Sequence, residues 1–402
     1  MLRLSAKSES LRFPIPALII AEAVTCKLNK PMSNKKSQIN LLNHSEAKVK
    51  LFGDYIQKYL NIICNDGYTK AIHIVDLFCG PGVYENGGEG SPVIALKKVK
   101  QTYYQFIDKR VVKSPKIHCH FNDIDQDRIK TLDNHIKENK LHYPNFGTLN
   151  LVNKDYLEIV EELPNKFKKF KDTKAFVFID PFGYKEIKAE HILNLLDCDN
   201  NAEVLLWLPI QFMYRFSKAG TPDVLENFNT QLGIVKNKLK NEWEYIRSLK
   251  EGFQDFIGNN YFVDSFTLKK EENTVFCLFF FSSHIRGYEK MLETKWDIDT
   301  EQGRGWKYNS NQSTLFSVLE TNRLEDLLLG YLKEGRTNGE IYEYTLRQGF
   351  LPKHSTQILK KLQSDNRLDL SKEDNSKIRK GAFYINYKEY KEYYNKLTIK
   401  LK

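Results

Sequence analysis

Five short apolar runs between residues 71 and 208, separated by helical patterns, constrain the fold more than any other feature. They are 71–77 (AIHIVDL), 117–122 (IHCHFN), 148–152 (TLNLV), 175–179 (AFVFI) and 203–208 (EVLLWL). Their length and their β-branched and aromatic content are those of buried strands. Between them, 44–64 and 126–138 carry apolar positions at helical spacing, and Ser91-Pro92 offers an N-cap and a first-turn proline for a helix over 93–106. Strands alternating with helices make a parallel, doubly wound sheet. After a mostly helical stretch (222–257), 261–268 and 274–281 flank the polar turn 269–272 and read as an antiparallel hairpin. Five parallel strands closed by such a hairpin form the Rossmann-like class I methyltransferase layout. A dinucleotide-binding Rossmann domain would end on a sixth parallel strand.

The remainder of the chain divides around this sheet. Residues 32–320 form the α/β domain. Residues 321–402 read as a winged helix: helices over 324–335, 337–348 and 353–365, then strands 367–370 and 382–387 around a charged hairpin. This part holds 17 Lys/Arg against 11 Asp/Glu, so +6 of the chain's net +10 lies here. That excess fits a nucleic-acid partner, and fits a Lys-rich coding bias equally well. Residues 1–31 differ in character from the rest of the chain and are expected to be a non-native or disordered extension, a mis-called start being preferred over a leader peptide. No apolar run is long enough for a membrane span. The six cysteines are scattered without CxxC spacing, which argues against a zinc, iron–sulfur or disulfide framework and for reduced thiols in a cytoplasm.

The strand ends carry the chemistry. Asp76-x-Phe78-x-Gly80-x-Gly82 follows the first strand, where glycines let main chain approach a ligand; Asp76 is positioned to hold the ammonium of S-adenosylmethionine. The bland alternative is a tight turn with no ligand. Asp123, less so Asp125, ends the second strand, where an acid accepts ribose hydroxyls, and Asp155 follows the third, where it would receive the adenine amine. Singly each reads as a helix N-cap; together and in order they mark a cofactor edge. Asp180-Pro181-Phe182-Gly183 follows the fourth strand and is similar to the (Asp/Asn)-Pro-Pro-(Tyr/Phe) motif of amino-methyltransferases. There, an acid and a proline carbonyl accept protons of an exocyclic amine as charge builds on its nitrogen. Phe182 stands where the second proline would be, leaving Phe182 or Tyr184 to stack on a base. A proline where cytosine C5 chemistry needs a cysteine excludes that mechanism, and Cys79 reads as packing. No metal is expected. In 211–218 (QFMYRFSK) aromatics interleave with basic residues, as base stacking would use. An amphipathic helix with Phe212 and Phe216 turned inward accounts for most of that pattern.

The segments 75–96 (VDLFCGPGVYENGGEGSPVIAL), 175–183 (AFVFIDPFG), 280–296 (FFSSHIRGYEKMLETKW) and 345–362 (TLRQGFLPKHSTQILKKL) resemble the three-Cys-motif partner family of bacterial methyltransferase-like proteins. The first is the most specific, through its insertion at 83–90. The resemblance spans about 44–370. It implies a methyltransferase fold with a C-terminal extension, a partner with clustered cysteines that looks like a radical-SAM enzyme, and a setting in defence or mobile elements. It carries Asp76, Gly80 and Gly82 over as the cofactor loop and Asp180 as the motif-IV acid.

Three readings are open at this point: a methyltransferase of nucleic-acid bases acting at an amino nitrogen, a methyltransferase of a small molecule or protein working beside the radical-SAM-like partner, and a non-catalytic scaffold. Intact acids favour the first two, and the altered motif after the fourth strand favours the third.

Overall fold

The computed structural model describes residues 43–108, 115–169, 171–198, 201–218, 221–235, 239–269, 275–300, 303–307, 317–372, 374 and 376–402. The expected extension at 1–31, Cys26 and the turn at 270–274 lie outside them. Ile39–Lys402 is one compact unit.

The first part of that unit runs α1 (Asn43–Ile63), β1 (Ala71–Asp76), α2 (Ser91–Asp108), β2 (Lys116–Asn122), α3 (Gln126–Glu138), β3 (Leu149–Val152), α4 (Tyr156–Lys169), β4 (Thr173–Ile179), α5 (Ala189–Leu196) and β5 (Ala202–Leu208). Then come α6 (Ile210–Lys218), α7 (Asp223–Gln231), α8 (Glu242–Ile257), β6 (Phe262–Lys269), β7 (Val275–Ser282), α9 (Ile285–Ile298) and β8 (Gly305–Lys307). One sheet takes the order β3-β2-β1-β4-β5-β7-β6-β8. β3 to β5 are parallel, β7 is antiparallel to β5 and β6, and β8 adds a short strand parallel to β6. This is the expected class I methyltransferase sheet with one extra edge strand.

Alternation along the strands divides the interior in two. Ile72, Ile74, Phe176, Phe178, Leu205 and Trp207 face α1, α2 and α9. Val75, Val177, Ile179, Val204 and Leu206 face α4, α5 and α8. The central strands β4 and β5 are buried almost throughout, as expected of strands covered on both faces. α1 seats Phe52 and Tyr55 on Phe176, Phe178 and Phe280 at ring separations of 4.9–5.9 Å, which fixes the helix over β4.

The C-terminal part is a winged helix: α10 (Ser317–Tyr331), β9 (Arg336–Thr337), α11 (Asn338–Arg347), α12 (Pro352–Ser364), β10 (Leu368–Ser371), α13 (Tyr387–Glu392) and β11 (Thr398–Leu401). The expected strand at 382–387 is not one. Tyr384 has φ 56°, Asn386 caps α13 through the Glu389 N–H, and Phe383 and Ile385 are buried without a ladder. β11 pairs with β10 instead, Leu368 opposite Leu401, and β9 lies on its other side. The module is docked on α9. Trp296 donates Nε1–H to the Gly349 carbonyl at 3.0 Å and packs on His354 with centroids 4.3 Å apart. Arg347 reaches the Tyr261 and Asn259 carbonyls and lies 4.3 Å over Phe262.

Among the described residues no helix is long and apolar enough to cross a membrane, and no cluster of His, Cys, Asp or Glu fits a metal. Cys64, Cys79, Cys119, Cys198 and Cys277 are buried thiols outside any disulfide.

Candidate active site at the strand tips

β1 delivers Asp76 to the C-terminal edge of the sheet with 1% of its surface exposed. One oxygen accepts the Ser91 hydroxyl at 2.5 Å and the other the Phe78 N–H at 3.2 Å. Ser91 opens α2, but its hydroxyl is taken by Asp76; the Gly90 carbonyl accepts the Ile94 N–H at the helix start. Burial pushes the Asp76 carboxyl up to about 7. Ser91 and Phe78 oppose the rise, the Asp180 charge adds to it, and Lys48 opposes it. No Lys or Arg among the described residues reaches ion-pair distance of this acid.

The turn beyond it depends on two glycines for different reasons. Gly80 has φ +63°, and a Cβ there would point into open space. Gly82 has φ +74°, and a Cβ would lie 2.4 Å from Leu132 Cδ1. Packing therefore explains Gly82, while the clear space over Gly80 is what a ligand cradle requires. Phe78 stacks its ring on Tyr156 at 5.0 Å. Cys79 is buried, its thiol pushed well up by that burial, in keeping with a packing role.

Asp123 and Asp125, alternatives in the sequence, separate by contacts. Asp125 caps α3 by accepting the Asp127 and Arg128 N–H groups. Asp123 is buried and accepts the Gly80 N–H at 3.0 Å and the Asp125 N–H at 2.9 Å, with Arg128 3.5 Å away. It thus ties the tip of β2 to the glycine turn. Asn122 and Asn153 extend the tie. Asn122 spans the Leu77 and Lys154 carbonyls, and Asn153 donates to those of Asp123 and Ile124. Asp155 accepts the Leu157 N–H at 2.8 Å at the start of α4, so one of its oxygens serves the helix.

Asp180 lies beyond the tip of β4 in an ion pair with Lys48 of α1 at 2.5 Å, the side chains being 20% and 13% exposed. The same ammonium stands 4.8 Å from the Trp207 ring centroid on β5. Pro181 is buried and Phe182 is 60% exposed under the Arg128 guanidinium, 4.7 Å from its ring. Tyr184 is turned into the core with Tyr245, whereas Phe182 keeps its ring at the surface. The 83–90 insertion is a small hairpin with a Val83–Glu89 bridge, held to α2 by a 2.5 Å Lys97–Glu89 ion pair. It sets Tyr84 within electrostatic reach of Asp180, Asp76, Arg128 and Asp123; burial first, and then those carboxylates, push its hydroxyl up to about 12.

The structure brings Asp76, Gly80, Gly82, Asp123 and Asp180 to one edge. Lys48, Tyr84 and Arg128 join them without a local sequence signal, and Ser91, which the sequence offers as an N-cap, joins them through its hydroxyl on Asp76. α6 corrects the sequence expectation. Met213 and Ser217 face inward, whereas Phe212 and Phe216 are 52% and 44% exposed.

Residues 305–375 match a family model described as a GMT-like wHTH domain. No curated protein matches the chain. Among solved structures, protein LPL1258 from Legionella pneumophila is 14% identical over 63% of this chain and 89% of its own, with a TM-score of 0.35. The methyltransferase domain of bacterial CtHen1 is 11% identical over 58% and 98%, at 0.29. TrmN from Thermus thermophilus is 10% identical over 57% and 52%, at 0.27.

Proposed function

We propose that this chain is an S-adenosylmethionine-dependent methyltransferase that acts on nucleic acid, at a base amino nitrogen. The observation that carries the reading is Asp76, a buried acid that no Lys or Arg among the described residues meets at ion-pair distance, beside a glycine turn that opens onto clear space. A buried acid of this kind gains most from a ligand that brings a positive charge. Asp76 would hold the ammonium of the cofactor's amino-acid end. Asp123 has lone-pair capacity left for the ribose hydroxyls, and the free oxygen of Asp155 suits the adenine amine. When bound, the cofactor supplies a methyl group activated by its sulfonium.

The acceptor side belongs to Asp180, the Pro181 carbonyl and Phe182. Phe182 would stack on a base while Asp180 and the carbonyl orient the amine by accepting its hydrogen bonds, the one proton it loses on methylation passing to Asp180. For this, Lys48 must share Asp180 or withdraw to the face of Trp207, where it already has a seat. The winged helix and its +6 charge support nucleic acid as the partner, held through phosphates and so sensitive to salt. The resemblance to three-Cys-motif partner proteins supports a radical-SAM-like protein as a second component, in a defence or mobile-element setting.

The Lys48–Asp180 pair favours one other reading. An ammonium at the acceptor site stabilises an acceptor that carries negative charge, such as a hydroxyl oxygen of a small molecule or protein.

Incubating the protein and its Asp180→Ala variant with methyl-tritiated cofactor and fractionated RNA, DNA, protein and metabolites tests both. Nuclease-sensitive label that the variant fails to incorporate supports the first reading. Label in protein or metabolites transfers the case to the second. Cofactor binding without any label in either overturns catalysis and leaves a scaffold.

A further inference from the structure

We infer that the outer face of α6, together with Phe182, is a stacking platform for single-stranded nucleic acid. This inference rests on the nucleic-acid reading above and narrows it to strands whose bases are free.

α6 leaves Pro209 directly after β5, at the same edge as Asp76 and Asp180. Phe212, Arg215 and Phe216 stand at i, i+3 and i+4, hence on one face, about one 5.4 Å turn from end to end. All three are exposed. The orientation is imposed from below. Asn229, buried, donates to the Ser217 hydroxyl at 3.1 Å and accepts from Tyr245 at 2.8 Å. Turning the phenylalanines inward would break this enclosed network and turn Ser217 to solvent. The helix carries no acidic residue.

Along the rim, Phe182 lies past β4, the strand next to β5, with Arg128 across its ring. Exposed Ile124 follows β2, three strand spacings from β5, so the rim is roughly 14 Å long. Aromatic rings beside guanidinium groups match a strand that offers alternating base faces and phosphates. A duplex hides its base faces and leaves such rings idle. A lipid surface calls for aliphatic area, and an acidic peptide has no use for ring planes.

The test measures binding of the full chain to labelled single-stranded RNA and DNA, and to a duplex of the same sequence, by fluorescence anisotropy. The wild type is compared with Phe212→Ala/Phe216→Ala and with Phe212→Tyr/Phe216→Tyr. A 2-aminopurine probe reports stacking, and S-adenosylhomocysteine binding confirms the fold of each variant. The alanine pair should bind single strands at least tenfold more weakly and lose the 2-aminopurine quench, with the tyrosine pair near wild type and duplex binding unchanged. Equal single-strand affinity in the alanine pair, or equal losses on strand and duplex, overturns the platform while leaving the nucleic-acid reading intact. A wild type that binds neither form overturns that reading and the platform with it, as does displacement of the strand by an acidic peptide at equal affinity.

Discussion

Replacing Asp76 by Asn should make the ligand-free protein more stable at neutral pH while removing its function. Burial lifts the carboxyl from an ordinary 3.8 to about 7, a gap that corresponds to about 4 kcal/mol. The sign is that of a raised folded value. Below the unfolded value both states hold the proton, and nothing is lost. As pH climbs toward 7 the unfolded chain ionises first, and stability falls; above 7 the whole cost is present. Asn keeps the shape, offers an acceptor to Phe78 or Ser91 and never ionises. Thermal unfolding followed by circular dichroism should therefore show a midpoint gap between variant and wild type that is near zero at pH 4. It should open to roughly 5 °C in favour of Asn by pH 8 for a unit of this size. A gap that does not change with pH, or a wild type more stable at pH 8, would refute the claim that Asp76 stores this cost for a cationic ligand.

The other predictions separate packing from binding. Gly80→Ala bears only the strain of its left-handed backbone, about 1–2 kcal/mol, and should fold but lose affinity for S-adenosylhomocysteine. Gly82→Ala adds a clash with Leu132 and should lose a further 1–3 kcal/mol or so, visible first in its unfolding midpoint. Trp296→Ala removes the ring that docks the winged helix, and should cost about 3–5 kcal/mol in guanidinium unfolding and speed proteolytic release of a C-terminal fragment. His73, stacked between His118 and His120, is held down to about 3 by burial and by those neighbours, and His120 to about 4 by burial and by His118 and Lys166. A depressed histidine resists protons that the unfolded chain takes up below 6.5, so stability falls as pH drops from there toward 3. His73→Gln should move the acid-unfolding midpoint to lower pH; an unchanged midpoint would count against this role.

Much of this was legible in the sequence because it is local. A strand that must be buried and then turn at glycines leaves a run such as 71–77 followed by Asp76-x-Phe78-x-Gly80-x-Gly82, and the tips of β1, β2 and β4 can be placed from such runs. The hidden features depend on partners far along the chain. Asp123 and Asp125 look alike until one is seen to cap α3 and the other to reach Gly80. Lys48 and Asp180 are 132 residues apart and meet only because aromatic packing fixes α1 over β4. Apolarity alone favours burying Phe212 and Phe216 of α6, whereas the Ser217–Asn229–Tyr245 network, distant in sequence, decides the rotation of the helix. Residues 382–387 alternate like a strand, but the ladder partner of β10 is β11, further along the chain.

The most direct measurement is calorimetric titration of the full chain with S-adenosylhomocysteine, beside Asp76→Ala. The wild type should show saturable binding with a Kd on the order of micromolar, and the variant should lose it. No binding by the wild type, or equal binding by both, would contradict the assignment of the β1 tip as the cofactor site.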